Sequence, residues 1–160
     1  MGRKPVNKAR INNKEQKEAW VRKLLPIYIT NGLKRFTMDD IAGHLEISKT
    51  TLYKHFRSRE EILQLALEVK LGDIGSFKED LFDEEQDFMD RYFNAMQTFF
   101  REISGISTDF LSELKHTYPD IWKKVDFFRE YAGNLLKIFY HHGIEKGYFH
   151  DINPAVLVIN

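Results

Sequence analysis

The stretch TMDDIAGHLEISKTTLYKHF, Thr37 to Phe56, leaves the chain little freedom. Its apolar residues fall at helical spacing in two short runs, Ile41, Ala42 and Leu45 and then Leu52 and Phe56, with Ile47 near the join. Two small helices meeting near Glu46 at a steep angle would share one core. Thr37 can accept a hydrogen bond from a first-turn N–H, and Asp40 can reach back as its capping-box partner; Ser48 is placed to cap the second helix. Ala42 is small where the two backbones would pass closest. What remains exposed on the second helix is Lys49, Thr50, Thr51, Tyr53, Lys54 and His55: cations, hydroxyls and donors with no carboxylate among them. Such a surface suits a helix whose N-terminal half enters a major groove and lies between phosphates.

The run T-M-D-D-I-A-x-x-L-x-I-S-K-x-T-L-Y-x-H-F, followed at once by R-S-R-E-E-I-L, resembles the helix-turn-helix of the TetR/AcrR family of bacterial transcription regulators. The match is dense over the first third of the chain and rests elsewhere on helical pattern and length. The resemblance implies an all-α fold: an N-terminal three-helix DNA-binding domain with a basic arm, residues 1–57, and a helical effector-binding and dimerisation domain, residues 58–160. It also implies a homodimer on a palindromic double-stranded DNA operator, acting as a repressor that a small hydrophobic or aromatic effector releases. On the same footing, Thr37, Ser48, Tyr53 and Lys54 would hold phosphates, while Lys49, Thr50, Thr51 and His55 would face base edges. Two positions depart from the family's pattern, Glu46 in the turn and Thr50 early in the second helix, where glycine is common. A left-handed Glu46 would carry a penalty of ~1 kcal/mol. Thr50 changes what that position can touch and bears on base preference.

Formal net charge is zero, but the average hides an asymmetry. Residues 1–59 hold 14 Lys and Arg against 5 Asp and Glu, and residues 60–160 hold 10 against 19. A basic module is joined to an acidic one, the first with the electrostatic footprint of phosphate binding and the second repelled by a duplex. Cysteine is absent, which excludes a disulfide framework and a thiolate zinc site. No apolar run approaches the ~18 residues of a membrane span, and the basic start MGRKPVNKAR precedes no apolar core. A soluble, cytoplasmic protein is expected.

Residues 1–11 read as a basic arm, with Arg3, Lys4, Lys8 and Arg10 able to reach phosphates or a minor groove. A helix is expected from about Asn13 to Asn31 on Trp20, Leu24, Ile27 and Tyr28, stopped by Asn31-Gly32 and disturbed at Pro26. Ser58 and Glu61 open a fourth helix that turns Ile62, Leu63, Ala66 and Leu67 inward, with a break near Gly72 and Gly75. A loop or short helix then leads to a long helix from about Glu85 to Lys115, with a possible break at Gly105. Pro119 starts the next helix, which approaches its end at His141-His142-Gly143. Another helix opens at Ala155, and the family pattern of two further pairing helices leads us to expect that the last helices are missing.

Phenylalanine alone numbers 13, mostly after residue 70. Aromatic side chains lining a bundle can wall an apolar cavity, and Tyr92, Met96, Phe99, Trp122, Phe127 and Tyr131 are its candidates. The alternative is a DNA-binding or protein-interaction helical protein without a small-molecule effector, its aromatic helices forming solid core. No nucleophile elbow, phosphate loop or carboxylate pair marks an enzyme, so no catalytic residue is assigned and no cofactor is expected. His116, His141, His142 and His150 are spaced poorly for metal binding, and no metal site is assigned.

Overall fold

The computed structural model describes residues 13–33 and 36–150. Every regular element among them is a helix: α1 (Lys14–Asn31), α2 (Met38–His44), α3 (Lys49–His55), α4 (Arg59–Gly75), α5 (Phe77–Leu81), α6 (Phe88–Ile103), α7 (Thr108–Thr117) and α8 (Pro119–Glu145). The chain divides into two compact units that meet between Val69 and Lys70. The boundary expected from sequence lay at residues 57/58; the difference is the first part of α4, which clusters with the N-terminal unit. The basic arm and the segment from Ala155 lie outside the described residues.

In the N-terminal unit, Asn13 caps α1 by accepting from the Gln16 N–H, and Gly32 ends it with a positive φ of 74°. The helix continues through Pro26, which faces solvent. Its buried side is Trp20, Val21, Leu24, Leu25 and Tyr28, while Ile27 is only half-buried. Phe36 packs edge-on against Tyr28 with ring centroids 4.9 Å apart. Ile41 from α2, Leu52 from α3, Phe56 and Ile62 from α4 are all fully enclosed. Burial of each such side chain contributes about 1.5–3 kcal/mol, enough for two seven-residue helices, too short to persist alone, to be held by packing.

In the C-terminal unit α5 packs on α6 and α7 on α8. Phe77, Leu81, Phe88, Ala95, Ala132 and Phe139 form the core cluster. Phe88 and Phe139 stack at 4.3 Å between centroids, nearly parallel. The Thr98 hydroxyl donates to Asp80 at 2.7 Å and ties α6 to α5. The helix expected over Glu85 to Lys115 divides into α6 and α7 at the break marked by Gly105. Gly105 takes φ 83°, and Ser107 then caps α7 by accepting from the Phe110 N–H. Its start is also later than expected, because Asp83 accepts from the Glu85 N–H and the Gln86 side chain and holds residues 83–86 in a turn. Pro119 opens α8 in its first turn as its fixed φ favours.

Candidate nucleic-acid interface

Local sequence rules build the α2–α3 pair almost completely. Thr37 and Asp40 close a reciprocal capping box: the Asp40 N–H donates to Thr37 Oγ1 at 3.2 Å, and the Thr37 N–H donates to Asp40 Oδ2 at 2.8 Å. The Thr37 hydroxyl donates to the same carboxylate oxygen at 2.6 Å, and these bonds, the hydroxyl's first, hold the Asp40 carboxyl below its usual range. At the other end of α2 the Glu46 N–H reaches the Gly43 carbonyl and the Ile47 N–H reaches that of Ala42, both at 3.0 Å. This pair of bonds is the Schellman closure of a helix, with Glu46 in the left-handed position at φ 57°. Ser48 Oγ then accepts the Thr51 N–H at 3.0 Å and starts α3.

The exposed surface of α3 is narrower than the sequence implied. Lys49, Thr50, Tyr53 and Lys54 face solvent, and Thr51 is half-buried. The hydroxyls of Thr37 and Ser48 are engaged in caps, and that of Thr51 lies 2.8 Å from Ser48 Oγ. Lys49 Nζ sits 2.7 Å from Asp39 Oδ2 of α2, and that bond raises the lysine's pKa. His55, expected to face base edges, is only 6% exposed. Its ring meets Trp20 edge-on at 4.7 Å between centroids, and its Nδ1 has no hydrogen-bond partner among the described residues. Burial, then the charges of Lys17 and Lys54, push its pKa down. His55 is therefore a core residue of the module and does not stand at the base-edge position expected of it.

Two ion pairs that braced or altered this site were not visible in the sequence. Besides Asp39–Lys49, Lys17 of α1 donates to Glu61 of α4 at 3.2 Å and lies over the Phe56 ring, 5.0 Å from its centroid. Glu61 also accepts the Arg57 N–H at 2.7 Å, so the carboxylate expected to complete a capping box at Ser58 reaches one residue further back. Arg59 donates to the carbonyl of Phe36 at 3.0 Å, linking α4 to the approach to α2.

The six candidate cavity residues do not form one wall. Tyr92, Met96 and Phe99 share a face of α6 and pack against the core cluster. Trp122 is half-buried beside the Lys115 ammonium, 5.7 Å from its ring. Phe127 and Tyr131 point outward, 73% and 38% exposed. A cleft of about 240 Å³ lies elsewhere in this unit, lined by Leu81, Phe82, Glu84, Arg91, Ile138, Phe139 and His142. Arg91 is fixed at it by donating from Nε to the Gln86 carbonyl at 2.8 Å. Near Phe139, the Tyr140 hydroxyl donates to that of Tyr92 at 3.1 Å, and burial together with this bond pushes the Tyr140 phenol up.

Two short helices joined by a Schellman turn, capped at both starts and held on a shared core, define a helix-turn-helix module. Residues 27–66, from the end of α1 into α4, match the family model described as bacterial regulatory proteins of the tetR family. Over those residues the chain carries the DNA-binding module of that family. It is similar to the uncharacterised HTH-type transcriptional regulator YvaF of Bacillus subtilis, 22% identical over 124 residues that cover 77% of this chain and 65% of the relative. It is similar also to the DNA-binding transcriptional repressor TetR of Mycobacteroides abscessus, 34% identical over 59 residues that cover 37% of this chain and 30% of the relative. The chain thus spans less than two thirds of either relative. No solved structure gives a significant match.

Proposed function

We propose that the protein is a DNA-binding transcription regulator that docks α3 in the major groove, most simply as a homodimer on a palindromic operator. The observation that carries this reading is the exposed face of α3, where Thr50, Tyr53 and Lys54 stand together without an acidic neighbour on their own helix. Hydroxyl donors and a cation at that spacing suit base edges and phosphates. The basic balance of residues 1–59 adds long-range attraction to a duplex. The M. abscessus relative carries the name of a repressor, and repression is the sign of regulation we assign here. Cytoplasmic action follows from such a role, and no helix among the described residues is long and apolar enough to cross a membrane.

Effector control belongs to the same proposal. A small ligand with an aromatic or aliphatic body would release DNA by binding the non-docking form more tightly, since only differential affinity shifts the balance. We place it in the cleft beside Phe82, Arg91 and Phe139, where apolar walls meet a fixed guanidinium. A second reading, DNA binding without an effector, is favoured by one observation: Tyr92, Met96 and Phe99 are taken up in core packing. Thermal melts with a panel of small hydrophobic acids decide between them, because a ligand of the native state must raise the melting temperature.

Nuclease footprinting of the DNA upstream of the protein's own gene tests the docking mode. Two protected half-sites in inverted repeat, about 10 base pairs or a multiple apart, are expected of a dimer. Protection without any repeat would overturn the dimeric operator, and uniform weak protection would overturn the regulator reading.

A further inference from the structure

Lys49 opens α3 and Asp39 lies in the first turn of α2, and the two meet at 2.7 Å. Both side chains are open to water, 48% and 68% exposed, so any phosphate that reached one would also be near the other. Lys54, further along α3, pairs with no carboxylate among the described residues. Two lysines that look equivalent in the sequence are therefore electrostatically different: one is neutralised from a neighbouring helix and the other is not.

From this we infer that Asp39 stands in for a phosphate, cancels Lys49 at the protein surface, and thereby sets an upper limit on how tightly the module grips any duplex. The inference rests on α3 being the DNA-docking helix. An ammonium already matched by a carboxylate neutralises no phosphate and releases no counterion, so it adds nothing to the salt dependence of binding. The strength of the pair is not what matters, since exposed pairs are weak. If Lys49 swings out toward the DNA, the carboxylate stays behind beside the same phosphates, and the local charge is still zero. The effect falls alike on every sequence. It lowers affinity alike on every duplex, which leaves discrimination to residues such as Thr50 and keeps the complex easy to release.

The test is a four-protein cycle of the full chain, wild type, Asp39→Asn, Lys49→Ala and the double variant, titrated by fluorescence anisotropy against the upstream DNA and a scrambled duplex across a salt series. Asparagine keeps the shape of Asp39 and removes its charge. Asp39→Asn is expected to tighten both duplexes by the same factor, about five- to tenfold at 0.1 M salt, and to steepen the salt slope by about 0.9, the increment of one phosphate contact. Lys49→Ala alone leaves Asp39 unmatched beside the phosphates and should weaken both duplexes alike, and the double variant, again locally neutral, should return to the wild-type affinity and slope. Asp39→Asn that weakens binding or leaves the slope unaltered overturns the inference, as does a double variant that binds more weakly and with a flatter slope than the wild type. The pair is also read without DNA, by NMR titration of the Lys49 ammonium, whose raised pKa should fall in Asp39→Asn. If no variant binds any duplex while that titration behaves as expected, the docking reading has failed; if the titration shows no difference, the pair has.

Discussion

Glu46 occupies the left-handed position that closes α2, with φ 57°, and it is the one non-glycine residue with positive φ among the described residues. Its N–H and that of Ile47 make the two closing bonds at 3.0 Å each, so the backbone cannot relax without losing the turn between α2 and α3. Replacing Glu46 with glycine removes the clash of Cβ with the carbonyl, worth roughly 1–2 kcal/mol for an L residue in this region. Against that, glycine gains freedom in the unfolded chain, which takes back about 0.4–1 kcal/mol. Glu46→Gly should therefore stabilise the N-terminal unit by about 0.5–1 kcal/mol, or about 2–8 °C in melting temperature for a domain of this size. Trp20, buried in the unit's core, reports its unfolding in a Trp122→Phe background, where it is the remaining tryptophan of two. Urea titration of that fluorescence gives the change in midpoint. Glu46→Ala is the control: it removes the same charge but keeps Cβ, so it should gain little. Equal stabilisation by alanine would show that the charge and not the backbone was the source, and destabilisation by glycine would refute the strain altogether.

Three further outcomes follow from the packing and the charges. Leu52→Ala empties a fully enclosed site at the heart of the α3 contact and should cost about 2–5 kcal/mol in the same Trp20 titration, with loss of DNA binding at 37 °C. His55 is buried and its pKa is lowered, so the folded state favours the neutral ring. The stability this contributes is complete above the unfolded value of about 6.5 and is lost as pH falls through the lower folded one. Urea midpoints should therefore drop more steeply between pH 7.5 and pH 5 for wild type than for His55→Phe, and parallel drops would contradict the assignment. In the C-terminal unit a Cβ at Gly143 would press into Phe149 and come within 2.8 Å of Phe88 Cζ, so Gly143→Ala should destabilise that unit by about 1–3 kcal/mol, read by thermal unfolding of Trp122 fluorescence in a Trp20→Phe background.

The α2–α3 pair was legible in the sequence because each of its features is a local rule with its own signature. Thr37 with Asp40 and Ser48 before a helical run each specify a backbone state within three or four residues, as the stop at Gly32 does for α1. The burial of His55 is written in the spacing too: it lies three residues after Leu52 and beside Phe56, on the buried side of α3. The Asp39–Lys49 and Lys17–Glu61 pairs were not, since contacts between elements 10 and 44 residues apart leave no period in the chain. The break at Gly105 was blurred because aromatic and aliphatic residues continue at helical spacing on both sides of it. Which aromatics of α8 turn inward depends on the rotation of that helix, and composition carries no information on it. Ala132 and Phe139 took the inner face, which left Phe127 and Tyr131 outside.

The central claim is that α3 reads DNA through Thr50, Tyr53 and Lys54. The measurement that tests it most directly is the anisotropy titration of the upstream DNA by wild type, Thr50→Ala and Lys54→Ala across a salt series, with a scrambled duplex beside it. Wild type should bind the upstream DNA selectively. Lys54→Ala should weaken both duplexes alike and flatten the salt slope by about 0.9, whereas Thr50→Ala should reduce the preference between them and leave the slope unchanged. Weak binding that is equal for both duplexes, or that neither substitution alters, would contradict the claim and place the docking surface elsewhere.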